Sequence, residues 1–220
     1  MQYLKMAQTV RQLVGMQGTG PSDVNATGAE GMFLVLVQNA WKDIQTARKK
    51  WKWMRDEKSF ATAIGTTAYT PLTIFGPNNR FKSWYKDTFY ITIDGKKHPL
   101  WFREYDYFKY KNANVTTQSS PNEFTIRPYD SAILINPPDS MYSITADYKK
   151  SIQNLVAASD EPEMPSDYHD LIVYEAVKRY GISIGMIHIY QEYEQNQTEL
   201  WGSLLRDQLP REIFKVRGIV

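Results

Sequence analysis

The sequence predicts an α+β protein: a helical bundle built from both chain ends, an inserted antiparallel β-sandwich-like block, and an extended C-terminal arm. Three observations lead there. Apolar residues from Phe33 to Trp51 recur every three to four positions, the period of a helix with one buried face. Between about Phe89 and Tyr148 the apolar residues instead alternate with polar ones, the period of half-buried strands. The helical period then returns from about Ser166 to Gln208.

The chain of 220 residues is long enough to bury roughly 70% of its unfolded surface, so a substantial core is available. Its 42% hydrophobic and 23% charged content is that of a globular protein. Twenty-six basic against 24 acidic residues leave a net charge of +2, which excludes a polycationic nucleic-acid coat and a strongly acidic partner binder. The absence of cysteine excludes disulfide scaffolds, thiol catalysis and cysteine-based metal sites. Met1–Val14 has no apolar stretch of signal-peptide length, and the longest apolar run, Met32–Val37, is far short of a membrane span. The expectation is a protein made and used in a cytoplasm, and the three Asn-x-Thr triplets at Asn25, Asn114 and Asn196 read as chance matches.

A first helix is predicted from Tyr3, Leu4, Ala7, Val10, Leu13 and Val14, which share a face; it stops in the glycines of Gly15–Pro21. Thr27 with Glu30 forms a capping-box pattern for the long second helix, predicted to run to about Trp51. In the β block, Phe89/Ile91/Ile93 precede an Asp94-Gly95 hairpin turn, and Phe124/Ile126, Ile133/Ile135 and Tyr142/Ile144/Ala146/Tyr148 alternate likewise. Tyr105–Lys111 reads as a short helix or a turn. Residues 160–170 hold five acids and no Lys or Arg, the pattern of a solvated linker delivering negative charge to a helix amino terminus. A third helix is predicted over Ser166–Tyr180, ended by Gly181, and a fourth over Ser183–Gln208, stopped by Pro210. The division predicted is 1–56 plus 164–209 as a helical core, 57–163 as an inserted β domain, and 210–220 as an arm.

Few residues offer chemistry. The three histidines are His98, His169 and His188; a metal site could be sought at Asp167, His169 and Asp170, but these do not share one helix face, so none is expected. Gly15, Gly18 and Gly20 follow no strand and precede no Gly-Lys-Ser/Thr, which makes them a hinge and not a phosphate loop. Glu104 and Asp106 are read as surface acids. The run Arg48-Lys49-Lys50-Trp51-Lys52-Trp53-Met54-Arg55 interleaves bases and rings, as single-strand binding surfaces do. Because Trp51 continues the apolar stripe, a helix end whose tryptophans face the core while its Lys and Arg complement the carboxyl-terminal dipole fits better; a compromise has Lys49, Lys50 and Lys52 facing a channel that passes nucleic acid. The tail Arg211–Val220 is open to two readings, a frayed end or an arm that docks on a neighbour.

Two segments together carry a resemblance. They are Trp41-x-x-Ile44-Gln45-x-x-Arg48-x-x-Trp51-Lys52-Trp53-Met54 and Pro165-x-x-Tyr168-His169-x-Leu171-Ile172-Val173-Tyr174-x-Ala176-x-x-x-Tyr180-Gly181. With the strand pair Ile133–Pro138 and Tyr142–Tyr148 between them and the tail after them, the chain resembles the head-to-tail adaptor (connector) proteins of tailed bacteriophages, in particular the short-tailed type. The resemblance implies a structural virion protein of the neck, assembled in the host cytoplasm, with no enzymatic activity, cofactor, metal or membrane. It implies a homo-oligomeric ring, usually of twelve copies, that sits below the portal protein, extends the channel for double-stranded DNA, and docks tail nozzle or fibre proteins. Carried onto this chain, Trp41, Ile44, Arg48, Trp51, Tyr168, His169 and Tyr174 belong to the ring core. Arg211, Phe214, Lys215, Val216, Arg217 and Ile219 belong to the portal-docking arm, and Lys49, Lys50 and Lys52 to a channel-facing surface. Pro77–Ser83 and Phe102–Lys111 match no part of the family pattern. The alternative is a β-rich carbohydrate- or protein-binding module without catalysis, on Trp84, Tyr85, Trp101 and Tyr105; a hydrolase using the acids is a third reading.

Overall fold

The computed structural model describes residues 1–77 and 79–210, without the side chains of Ile187 and Tyr190. In chain order the elements are α1 Tyr3–Leu13, α2 Gly28–Ala47, β1 Arg55–Ala61, β2 Ala68–Tyr69, α3 Pro71–Phe75, β3 Phe81–Trp84, β4 Tyr90–Ile93, β5 Lys96–Pro99, β6 Trp101–Phe102, α4 Tyr105–Lys111, β7 Glu123–Ile126, β8 Ile133–Ile135, β9 Ser143–Lys150, α5 Asp170–Ser183 and α6 Ile187–Gln208. Short 3-10 turns lie at Lys52–Met54, Lys86–Thr88 and Ser166–Tyr168. The fold class is α+β. The expected arm, Arg211–Val220, lies outside the described residues.

Two compact units divide the chain. The helical unit joins Met1–Met54 to the chain from Ile152 onward, and the β unit is Arg55–Ser151. Both chain ends thus share one apolar core, with Met6 and Val10 of α1, Phe33, Val37 and Trp41 of α2, and Leu171, Ile172 and Ala176 of α5 all buried. Residues 152–163, read from composition as part of the β block, are in the helical unit. Leu155 is buried in its core, and Gln45 of α2 fixes Gln153 from both sides, its Nε2 donating to the Gln153 carbonyl (3.0 Å) and its Oε1 accepting the Gln153 N–H (2.7 Å). The backbone carbonyls of Asp160 and Ala158 accept the N–H groups of Tyr3 (2.8 Å) and Leu4 (3.2 Å). The acid-rich linker therefore caps the first turn of α1, whose N–H groups have no partner inside the helix.

Several helix ends differ from those predicted, each for a local reason. α2 stops at Ala47, and Arg48 is extended. Trp51 is nevertheless buried, because its chain turns back and the indole Nε1 donates to the Ile44 carbonyl (3.0 Å), one of the last-turn acceptors that the helix leaves open. The capping box does not form: Thr27 makes no side-chain cap bond, and Glu30 instead accepts from the Arg11 guanidinium at 2.9 Å. α5 begins only after the Ser166–Tyr168 turn and runs through Gly181. The reversal comes at Gly185, whose φ of +74° suits a residue without Cβ, and α6 starts at Ile187.

The β unit has two sheets. In the first, β9 is central: β1 pairs along its whole length, Arg55 opposite Lys149 to Ala61 opposite Ser143, while β4 and β3 share its other edge. β4 continues to β5 through Asp94-Gly95, both at positive φ, as a two-residue hairpin turn requires. The second sheet runs β2-β8-β7-β6. Its β6–β7 pair is parallel, so the unit is mixed and not purely antiparallel. The correction has a topological cause: α4 and the loop after it carry the chain from β6 back to the starting end of the next strand. Ile91, Ile144 and Ala146 from the first sheet and Phe124, Ile133 and Ile135 from the second form one core, in which the Phe89 and Phe124 rings stack at 3.9 Å.

Candidate assembly surfaces

The helical unit has two chemically distinct ends. At one, Arg11 of α1 meets Glu30 of α2, and Tyr180 of α5 packs against Phe33 (ring centroids 5.6 Å apart) and Met16. At the other lie the end of α2, the start of α5 and the end of α6. Here the Trp51 ring stacks on Trp53 at 4.4 Å and meets Trp201 of α6 edge-on at 5.8 Å, while Trp53 reaches Trp41. The four indoles make a wall behind the basic run. Trp51 therefore faces the core, where it offers no surface on which a base could stack.

Arg48, Lys49, Lys50 and Lys52 lie exposed on that wall. Lys52 Nζ donates to the Asp207 carbonyl near the end of α6, and Arg48, Lys49 and Lys50 line an open groove of about 260 Å³ with Leu209 and Pro210. The last described residue, Pro210, thus leaves beside the basic run. Tyr168 reaches the same corner: its phenol lies by Asp207 and Asp167, and desolvation, then these two carboxylates, raise its pKa.

The other predicted ring residues are core or half-core. Trp41 and Ile44 are buried, and Tyr174, half-buried, packs its ring on Tyr193 of α6 at 5.6 Å. His169 is buried, its Nε2 2.9 Å from the Met164 carbonyl. Asp43, Glu175 and Arg179 form a further ion cluster between α2 and α5. Arg179 pairs with Asp43 and, through Nε, with Glu175 (3.0 Å), and Gln197 of α6 donates to Glu175 at 2.7 Å. This cluster, missed by sequence reading, ties the three helices together. Among the described residues, no three His, Asp or Glu side chains converge to hold a metal ion, and no helix is long and apolar enough to cross a membrane.

The aromatic residues proposed for carbohydrate binding do not converge. Trp84 is in the core, with its indole N–H on the Ser131 carbonyl (3.1 Å), and Tyr85 lies under Arg55, whereas Trp101 is 63% exposed. The large side chains that the β unit exposes include Tyr129 and Met141, and also Trp101 with Tyr107 and Tyr110, the last two on α4. A charged lock fixes that region: Glu123 of β7 accepts from Arg103 (2.9 and 2.7 Å) through Oε1 and from Lys111 (2.7 Å) through Oε2. The Lys111 bond, with Arg103 adding to it against the opposing effect of burial, holds the Glu123 carboxyl below the usual range. A depressed folded-state pKa contributes stability that is present above the ordinary carboxyl range and is lost as pH falls through the folded value. Glu123→Gln should therefore destabilise the β unit by about 1–3 kcal/mol near neutrality. Thermal melts should show the gap from wild type closing towards about pH 3. An equal gap at both pH values would contradict the assignment.

The helical unit thus exposes its basic run, and the β unit exposes Trp101, Tyr107 and Tyr110. A family model described as SU10 adaptor protein matches residues 1–218, and the chain belongs to that family of bacteriophage adaptor proteins. The resemblance to head-to-tail adaptors is thereby borne out. No curated protein matches the chain.

Proposed function

We propose that the chain is a head-to-tail adaptor subunit that forms a ring, of about twelve copies by family analogy, below the portal, where it extends the DNA channel and gives the tail its docking surface. The observation that carries this reading is the union of segments from both sides of the β unit in one helical core, with Pro210, the last described residue, at the charged end of that core. In this reading α2, α5 and α6 build the ring, and Phe214, Val216 and Ile219 anchor the arm on the portal. The exposed Trp101, Tyr107 and Tyr110, residue types over-represented in binding hot spots, serve the tail or nozzle proteins. A ring contact is heterologous: each subunit presents two different patches, and repetition of one rotation closes the assembly. The test is native mass measurement of the protein alone and with the portal of its virion. A closed oligomer, free or on the portal, is expected; a monomer in both samples would overturn the reading.

A further inference from the structure

We propose, resting on the adaptor reading above, that the β unit anchors its tail partner through a cavity beneath α4. The occupant is an aromatic side chain that carries a hydrogen-bond donor and has a carboxylate beside it. The alternation of β8 builds the site. Ile133 and Ile135 point into the core, so Leu134, and Asn136 just past the strand, turn to the opposite face. There they meet α4 and the loop after it around an open cavity of about 380 Å³, with Phe108, Val115, Leu134 and Pro137 as apolar walls. These walls are tied in place within the unit. Glu123 holds α4 through Lys111 (2.7 Å), Asn112 Nδ2 donates to the Phe108 carbonyl (2.9 Å), and the Ser119 N–H donates to the Pro137 carbonyl (2.9 Å). A preformed cavity lowers the ordering cost that a partner meets on binding.

Size, hydrogen bonding and charge select that occupant. Roughly 150 Å³ is enough to hold benzene, so this cavity admits one aromatic side chain with a polar group on its ring. It is too small for a helix, which is about 10–12 Å across with its side chains. Asn136 Oδ1 is buried and has no hydrogen-bond partner among the described residues. An acceptor left unpaired in this way is costly, so a ring that brings an N–H or O–H gains what a plain phenyl ring does not. Lys109 lines the cavity from α4, is exposed, and pairs with no carboxylate among the described residues. It therefore favours an acidic residue next to the incoming ring. Tyr107 and Tyr110 stand exposed on the same helix, so α4 offers both protruding rings and a receiving cavity, the usual makings of a binding hot spot.

Three small compounds test the chemistry on the full chain by ligand-observed NMR: para-hydroxyphenylacetate, phenylacetate and para-cresol. They share the ring and differ in the donor or the carboxylate. The hydroxylated acid is expected to bind about tenfold more tightly than phenylacetate. Its advantage over para-cresol should be only about two- to threefold, because an ion pair to an exposed lysine is weak. Asn136→Leu should erase the first difference and Lys109→Ala the second, with circular dichroism confirming each fold; Asn136→Ala replaces a leucine variant that does not fold. Ala113→Trp, at the exposed rim of the cavity, should then block all three compounds, with Val115→Trp as the second block. The blocked chain should bind the virion's tail proteins at least about tenfold more weakly than wild type when both are assembled on portal. A wild type that binds none of the compounds, or an Asn136→Leu chain that keeps the preference for the hydroxyl, overturns the proposal. So does tail binding at full strength by a blocked chain, which would mark a small-molecule site instead. A wild-type chain that forms no ring with portal defeats the adaptor reading and this partner with it, whereas the compounds report on the cavity without a ring.

Discussion

Deletion of residues 211–220 is expected to abolish portal binding while leaving the secondary structure and melting of residues 1–210 unchanged. The segment supplies Phe214, Val216 and Ile219 among Arg211, Lys215 and Arg217. Burying an apolar side chain of this size contributes about 1.5–3 kcal/mol. Three together outweigh the ordering of a short arm and correspond to at least about a hundredfold in affinity. The described core runs to Leu204, with Leu205 and Leu209 packed against it, and all three are kept in the truncated chain. Calorimetry of full-length and truncated chains against portal decides the matter. Equal affinities would remove the arm from the docking surface and leave the helical unit to carry it.

Trp51→Ala is expected to cost the helical unit about 3–5 kcal/mol, the range for deleting a large buried ring. Trp51 does two jobs: its indole fills the space between Trp53 and Trp201, and its N–H closes the end of α2 at Ile44. Trp51→Phe separates them. It keeps most of the packing and loses the hydrogen bond, so a smaller loss of about 1 kcal/mol is expected. Urea unfolding of the three proteins gives the comparison. If the alanine variant unfolds with the wild type, the indole wall is not what holds α2 to α6.

What could be read in advance divides along physical lines. The stripe Phe33, Val37, Ala40, Trp41 and Ile44 was legible because one buried face imposes the helical period directly on the sequence. The inward row Ile144 and Ala146 of β9 and the Asp94-Gly95 turn were legible for the same kind of reason. β1 was not, because Arg55-Asp56-Glu57-Lys58 carries no strand signal of its own. It is a strand through pairing with β9, about ninety positions later, and tertiary context overrides local propensity there. Trp51 was assigned to the right interior by the wrong element, since a turn can return a ring to the core in phase with a helix that has already stopped. The Glu123 lock was hidden by alternation. Beside inward Phe124, Glu123 reads as solvent-facing, and only the cover of α4 buries it. The amphipathic pattern of Tyr105–Lys111, with Phe108 alone turned inward, was the available clue. In the candidate surface, the polarity of Arg48–Lys52 was plain, but its position beside Leu209 and Pro210 depends on contacts across 160 residues of chain.

The nesting of the β unit between two halves of the helical core imposes an order on the molecule's birth. Met1–Met54 emerges from the ribosome with its apolar stripe unclothed and waits for α5, more than a hundred residues later. The inner module completes only when β9 arrives, and it can do so before the outer one has all its pieces. The helical core therefore closes only after the whole β unit has been made, since α5 follows β9 in the chain.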